Sequence, residues 1–273
     1  MNVGYIIWDF SGKLDVIGIF SINCYGLLFA AGLALGGLWV YRRFREEGMT
    51  DKDFEVFLIW GFVCMFLGCR LGHCFFYQWG YYSKHLAEIL LPFKITAEGW
   101  KFIGYRGLAS HGGAVGMVVA MVIFWCRTRR NLWKVMDFVA IGACLAGGFI
   151  RLGNLMNSEI VGLPTDLPWG FVFTAVDDVP RHPAQLYESI FYFAEFGVAA
   201  WLFMRFRYRG RIRPGGYFGA VVAVMFTFRL LIENVKEVQE AFEREMVLDM
   251  GQILSLPFIL AGVTIFFLKT LRK

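Results

Sequence analysis

Apolar residues fall into seven blocks along the chain, near positions 18–41, 54–77, 108–126, 134–151, 188–204, 215–235 and 251–268, with polar stretches between them. Crossing a bilayer core as a helix takes about 20 mostly apolar residues, which each block supplies or approaches. Hydrocarbon offers no water to the backbone, so such a segment must satisfy its own N–H and C=O groups, and a helix does so. The pattern predicts an all-α membrane protein: seven transmembrane helices in one integral membrane domain over 1–273, with a small cap on one side. The first block has neither a basic start nor a small-residue cleavage site, so it reads as a span and not as a removed leader.

Charge placement orients the bundle. Sixteen of the 27 basic residues follow the first, third, fifth and seventh blocks, in the runs Arg42–Lys52, Arg127–Lys134, Arg205–Arg213 and Lys269–Lys273. Eight lie on the other side: Lys13, Lys84, Lys94, Lys101, Arg106, Arg181, Lys236 and Arg244. The excess of Lys and Arg marks the cytoplasmic side, which puts the N-terminus outside and the C-terminus inside. These basic runs are then topology signals and contacts for anionic lipid, and nucleic acid is not an expected partner.

Composition agrees, since 58% hydrophobic residues in a chain of 273 exceeds what a soluble domain carries. All six cysteines (Cys24, Cys64, Cys69, Cys74, Cys126, Cys144) sit inside apolar blocks without a C-x-x-C pair. They read as small packing residues, so no disulfide, metal or other cofactor is expected. No nucleotide-binding loop or internal repeat is present.

The candidate chemistry lies in the polar residues that interrupt these blocks. Arg151 closes one block and opens Arg-Leu-Gly-Asn-Leu-Met-Asn-Ser-Glu, placing Asn154, Asn157 and Glu159 beside it. A guanidinium at the edge of hydrocarbon is costly and marks function, and its fork suits a phosphate or carboxylate. On the predicted topology Asn23, Tyr25, Arg70, His111, Arg151, the segment His182–Glu188, Arg229 and Glu233 share the outer half of the membrane, as residues lining one cavity would. Asp137 stands apart: it precedes Arg151 by 14 residues, about 21 Å along a helix, and is expected to pair with a group on the cytoplasmic side.

Several of these features have two readings. Gly112, Gly113 and Gly116 suit close helix packing, with Gly112 and Gly116 at G-x-x-x-G spacing, and they also leave room for a substrate beside His111. Arg229 and Glu233, four apart, can form a buried ion pair that locks the helix, or Glu233 can hold Arg229 ready for a phosphate. Arg181–Glu188, with Pro183 suited to a first helical turn, is either a cap or the rim of the cavity.

At these positions the chain resembles bacterial prolipoprotein diacylglyceryl transferases. The motifs that carry the likeness are Tyr25-Gly26, Ser110-His-Gly-Gly113, Gly148-Phe-Ile-Arg-Leu-Gly-Asn-Leu-Met-Asn-Ser-Glu-Ile-Val-Gly162, His182-Pro-Ala-Gln-Leu-Tyr-Glu188, Arg229-Leu-Leu-Ile-Glu233 and Met250-Gly-Gln-Ile-Leu-Ser-Leu-Pro257. The resemblance implies seven spans in the bacterial inner membrane and an active site toward the periplasm. It implies transfer of diacylglyceryl from phosphatidylglycerol to the lipobox cysteine of a prolipoprotein signal peptide, with glycerol phosphate released. Family roles fall on Tyr25, His111, Asp137, Arg151, Asn154, Glu159, Gly162, Arg229 and Glu233. The expected partners are phosphatidylglycerol, prolipoproteins and membrane lipids, and the chain is expected to act as a monomer.

In the chemistry so implied, Arg151 and Arg229 take the phosphate, and Glu159 and Glu233 orient them or bind glycerol hydroxyls. Tyr25 and Asn154 add neutral hydrogen bonds, and Gly162 leaves room. His111 is the first candidate to accept the thiol proton and Glu159 the second. The rival readings are another phosphatidylglycerol enzyme, a phosphatase or phospholipase, and an anion transporter. A transporter needs polar residues continuing to the cytoplasmic side, where only Asp137 qualifies.

Overall fold

A computed structural model describes residues 4–16, 20–76, 78–91, 93–96, 99–102, 110–209, 212–237 and 248–270. Strands β1 (Ile6–Trp8), β2 (Lys13–Val16) and β3 (Phe20–Asn23) precede helix α1 (Cys24–Glu46), and α2 (Asp51–Phe76) follows. Short helices α3 (Trp79–Tyr82) and α4 (Ala87–Leu90) and strands β4 (Phe93–Thr96) and β5 (Gly99–Phe102) lead to α5 (Ser110–Thr128) and α6 (Leu132–Met156). Next come β6 (Phe171–Phe173), β7 (Pro180–Arg181), α7 (Ala184–Phe206), α8 (Gly216–Ile232) with a 3₁₀ turn Glu233–Val235, and α9 (Met250–Thr270).

The protein is mostly helical, and six described helices are long and apolar enough to cross a membrane: Cys24–Glu46, Asp51–Phe75, Leu132–Met156, Ala184–Phe206, Gly216–Val235 and Gly251–Thr270. In α5 the apolar run Val115–Thr128 is shorter. The expected block 108–126 begins outside the described residues, and the side chain of His111 lies outside them too. Two expectations need correction. The block 18–41 does not begin as helix: Phe20–Asn23 pairs with Lys13–Val16 as an antiparallel hairpin. Asn23 Oδ1 then caps α1, accepting from the Tyr25 and Gly26 amides at 2.8 and 3.4 Å. Nor is the chain purely α, because short strands occupy the polar segments between helices.

The described chain divides into two compact units, Phe44–Leu132 and the combined Met1–Arg43 and Trp133–Lys273. In the first, Thr50 and Asp53 form a capping box at the start of α2, each side chain accepting from the other's amide at 2.8 and 3.2 Å. Arg130 donates to Asp53 Oδ2 at 2.8 and 3.0 Å. Helices α2 and α5 cross on small residues, so a Cβ on Gly112 would run into the Gly68 carbonyl and one on Gly116 into the Cys64 carbonyl. That bears out the packing reading of the glycine motif. Arg70, grouped by sequence with the cavity residues, is buried instead beneath α4, donating to the Ile89 and Glu88 carbonyls at 2.9 and 2.7 Å and lying over the Tyr82 ring. Carbonyls in a last helical turn have no intrahelical partner, and the Arg70 guanidinium satisfies two of them.

In the other unit α1 packs on α6 through Gly36, where a Cβ would sit 2.8 Å from the Gly142 carbonyl oxygen. A three-stranded sheet of order β1-β6-β7 pairs Ile6–Trp8 in parallel with Phe171–Phe173, which pairs antiparallel with Pro180–Arg181. Alternation turns Phe171 and Phe173 to one face. There they join Leu155 and Val161 in a buried cluster flanked by Trp8, Leu152 and Leu186, a floor beside the end of α6.

Arg181 ties that sheet together. It donates to both Asp177 oxygens at 2.5–3.1 Å, to the Gly162 carbonyl at 3.2 Å and to Glu237 at 3.1 Å. These hydrogen bonds hold the Asp177 carboxyl below the usual carboxylate range and raise Arg181 in turn. A lowered folded value means that the clamp stabilises fully above the unfolded value of about 3.9 and fades as pH falls through the lowered one. Asp177→Asn should therefore lower the thermal unfolding midpoint of the detergent-solubilised protein near neutral pH. The gap from wild type should begin to narrow below the unfolded value of about 3.9 and close only as pH falls through the lowered folded value, where the wild-type carboxyl itself protonates. A gap that stays constant over that range would remove the clamp from the stability of the sheet.

Candidate active site

The last turn of α6 and the segment after it build the site. The Glu159 amide donates to the Asn154 carbonyl at 2.9 Å, and the chain then turns through positive φ at Ser158 (53°) and Ile160 (57°). A β-branched residue rarely adopts that conformation, so this turn is strained and is held by its surroundings. Part of the hold is Gln185, fully buried on α7, whose Nε2 donates to the Glu159 carbonyl. The turn lifts the Glu159 carboxylate, which accepts from Asn154 Nδ2 at 3.0 Å and Asn157 Nδ2 at 3.2 Å. Glu159 is solvent-exposed, whereas Asn154 is buried.

Arg151 sits one turn earlier. Its Nη1 lies 3.4 Å from Asn154 Oδ1, and its Nε pairs with Glu188 Oε2 at 3.2 Å. Glu188, in the second turn of α7, is fully buried, and its other oxygen pairs with Lys236 Nζ at 3.0 Å. Lys236 also pairs with Glu233 Oε2 at 3.0 Å. A continuous chain of charges thus runs Arg151–Glu188–Lys236–Glu233 across α6, α7 and the end of α8.

Gly162 fixes the same region through its backbone. It donates to the His182 carbonyl at 2.9 Å and bridges antiparallel to Lys236. A Cβ there would sit 2.5 Å from the His182 Cβ and 2.7 Å from the Val235 carbonyl oxygen. Glycine is needed because two backbones meet. Tyr25 stacks on Phe29 and leans on α6, with its Cδ2 2.8 Å from where a Cβ on Gly153 would be. From there it feels the charges of Glu159 and Arg151. Tyr192 is buried on α7, one turn after Glu188.

One pairing anticipated from sequence differs. Glu233 does not pair with Arg229 among the described residues: it turns to Lys236, and its Oε1 would lie 2.5 Å from a Cβ on Gly251. Arg229 is left with no hydrogen-bond or ion-pair partner among the described residues, half-buried near the end of α8. Asp137 meets the expectation of partners from the segment that the charge pattern puts on the cytoplasmic side, and most of them are backbone amides. Fully buried, it accepts from the Gly215 and Phe218 amides at 2.8 and 2.7 Å and from the Tyr208 hydroxyl at 3.1 Å. It caps α8 from a neighbouring helix, satisfying amides that the first turn of any helix leaves open.

The segment Arg181–Glu188 serves both of its proposed ends. Arg181 belongs to the cap. His182 Nδ1 lies 3.4 Å from the Tyr187 hydroxyl, which accepts from Trp169 Nε1 at 2.8 Å. Gln185 and Glu188 face the site. Sequence reasoning gave Lys236 no role beyond topology and did not single out Tyr192. Lys236 lies in a polar stretch without periodicity, which carries no signal of burial. Glu188 did carry one, a carboxylate in the second turn of an otherwise apolar helix.

Chemically, the arrangement offers one arginine paired with a carboxylate at Nε, whose Nη1 meets only the neutral Asn154 amide, and a second with no partner among the described residues. Beside them stand an exposed carboxylate held by neutral amides and a tyrosine. Such a set binds an oxyanion next to hydroxyl-bearing groups. Among the described residues no three His, Cys, Asp or Glu side chains gather as a bound metal ion would need.

Comparison with known proteins gives a consistent family. A family model described as prolipoprotein diacylglyceryl transferase matches residues 13–268. The phosphatidylglycerol–prolipoprotein diacylglyceryl transferase of Bacteroides fragilis is 43% identical over 270 residues, covering 98% of this chain and 96% of its own length. Proteins of the same name from Chloroherpeton thalassium and Porphyromonas gingivalis are 38% and 39% identical, over 96% and 95% of this chain and 94% and 93% of theirs.

Proposed function

The chain belongs to the prolipoprotein diacylglyceryl transferase family, and on that premise we propose how its residues carry out transfer from phosphatidylglycerol to a prolipoprotein cysteine. The thiol loses its proton, and the thiolate attacks the diacylglyceryl carbon that bears the phosphate oxygen. The C–O bond breaks as the C–S bond forms, so the lipid is left as a thioether and glycerol phosphate departs. Charge accumulates on the departing phosphate, and preorganised cations there are the largest catalytic contribution.

The observation that carries this reading is the state of the two arginines. Arg151 is braced by Glu188 at Nε while its Nη1 meets only the neutral Asn154 amide, and Arg229 has no partner among the described residues. We assign both to the phosphodiester. Tyr25 and Asn154 donate neutral hydrogen bonds, and Glu159 receives a glycerol hydroxyl. Glu233 acts through Lys236, Gly162 fixes the backbone turn beneath the site, and Asp137 holds α8 in place. We further infer the remaining architecture: seven spans with α5 as one, the N-terminus and the small sheet on the periplasmic side of the inner membrane, and a monomer. The charge asymmetry of the polar segments supports that orientation.

The deciding experiment incubates the purified protein with labelled phosphatidylglycerol and a lipobox peptide, with and without its cysteine. A thioether-linked product that requires the cysteine is expected; headgroup release without a thiol acceptor would make the protein a phospholipase instead.

Within that assay, Arg151→Lys keeps the charge and loses the fork, so turnover should fall by about two orders of magnitude or more. Near-normal turnover would remove the forked contact. For the proton acceptor, His111 is the first candidate, because imidazole has an unperturbed pKa near ~6.5 and can take a proton near neutral pH. His111→Gln should leave lipid binding intact and slow transfer; unchanged transfer would pass the role to Glu159, whose oxygens meet only neutral amides.

A further inference from the structure

Lys236 lies outside every motif by which the sequence resembles its family, yet it is one of the most confined charges in the molecule. It is 5% exposed, its Nζ stands 3.0 Å from both Glu188 Oε1 and Glu233 Oε2, and its backbone is locked by the bridge to Gly162 and by its amide donating to the Glu233 carbonyl at 3.1 Å. The chain has therefore placed this ammonium with some care against the oxygen of Glu188 that Arg151 does not use.

That matters because a carboxylate facing a guanidinium prefers two parallel N–H···O bonds. Fully buried Glu188, left alone with Arg151, would take that arrangement and cover two of its donor nitrogens. Here it does not. The closest approach of Oε2 is to Nε, at 3.2 Å, and no pair of parallel N–H···O bonds forms, while Oε1 is turned to the lysine. The remaining Arg151 contact, Nη1 to Asn154 Oδ1 at 3.4 Å, is long and neutral. A lysine suits the task better than an arginine, since an ammonium is a compact point charge that sits between two carboxylates without a plane of its own to satisfy.

We propose that Lys236 is a positioning residue that divides the two oxygens of Glu188, so that Arg151 is braced at Nε and its outer edge stays open for the lipid phosphate. The proposal rests on the assignment of Arg151 to the phosphodiester. Lys236 itself touches neither lipid nor thiol. Its effect is to keep an internal anion from occupying the place of the external one, and therefore to set lipid affinity more than the chemical step.

The test uses the purified full-length protein in vesicles with increasing mole fractions of phosphatidylglycerol and a fixed excess of lipobox peptide. Lys236→Met keeps the length of the side chain and removes its charge. The KM for phosphatidylglycerol should rise about tenfold or more, with kcat changed much less. Adding Glu188→Gln should return much of that affinity, because a neutral amide does not compete for the guanidinium. Where Lys236→Met alone does not fold, the same comparison is made in the Glu188→Gln background. There, loss of Lys236 should leave KM within about twofold of Glu188→Gln alone. A KM unmoved by Lys236→Met overturns the proposal, as does a KM raised equally in both backgrounds, which would mean that the lysine acts only by holding the fold. Arg151→Lys serves as the reference. If that variant binds lipid normally, the phosphate assignment itself has failed; if it loses lipid while Lys236→Met does not, only the role of Lys236 has.

Discussion

A fully buried carboxylate shared by two cations governs the organisation of this site. Glu188 stands between Arg151 and Lys236, which belong to different parts of the chain, and Lys236 passes the connection on to Glu233. Taking these charges out of water is expensive, and removing one member of such a pair leaves the other uncompensated at about 3–5 kcal/mol. The network therefore tolerates little displacement of α6, α7 or the end of α8 relative to one another. The bridge of Gly162 to Lys236 adds the segment after α6 to the same knot.

Helix α8 is held at both ends by chemistry of different kinds. At its start Asp137 accepts from two of the open amides, and at its end Glu233 is drawn to Lys236. Arg229 lies in its last turn, so its placement follows from two fixed ends and not from a partner among the described residues. A similar logic positions Tyr25. The close approach of α1 to α6 at Gly36 and Gly142 brings the start of α1 against Gly153, within one residue of Asn154. Small residues along the apolar part of a helix thus decide where polar residues at its end stand, which is why packing motifs far from the chemistry are tightly constrained in membranes.

Much of this was legible in the sequence, for identifiable reasons. Apolar blocks long enough to span a bilayer located the helices to within a few residues, because hydrocarbon leaves the backbone few alternatives. The G-x-x-x-G spacing at Gly112 and Gly116 announced a close crossing that the structure places against α2. Arg151, Asn154 and Glu159 were visible as a cluster because such residues are rare at the end of an apolar run. The hairpin before α1 was hidden, since Phe20, Ile22 and Cys24 continue the apolar block and only Ser21 and Asn23 interrupt it. The pairing of Glu233 was misjudged because helical spacing shows which residues share a face, while the competing lysine three residues on lies beyond the regular helix. Arg70 was misassigned for a related reason: depth alone does not distinguish a cavity residue from one that satisfies the carbonyls of a short neighbouring helix.

The two arginines are prepared differently, and the difference suits a reaction in which an anion arrives, gains charge and leaves. Arg151 is held before any lipid is bound, so its donors need not reorganise as charge develops on the leaving phosphate. Glu188, Lys236, Glu233 and Arg151 together are formally neutral, which leaves Arg229 as the cation without a described counterpart. A guanidinium near hydrocarbon without a counter-ion is unfavourable by about 2.5–3.5 kcal/mol on insertion scales, less where it reaches water. An anionic headgroup supplies the missing charge on arrival, so relief of that penalty favours lipid binding. Were Arg229 also paired internally, the phosphate would have to displace a carboxylate before it could bind, and the same cation would serve the protein instead of the substrate.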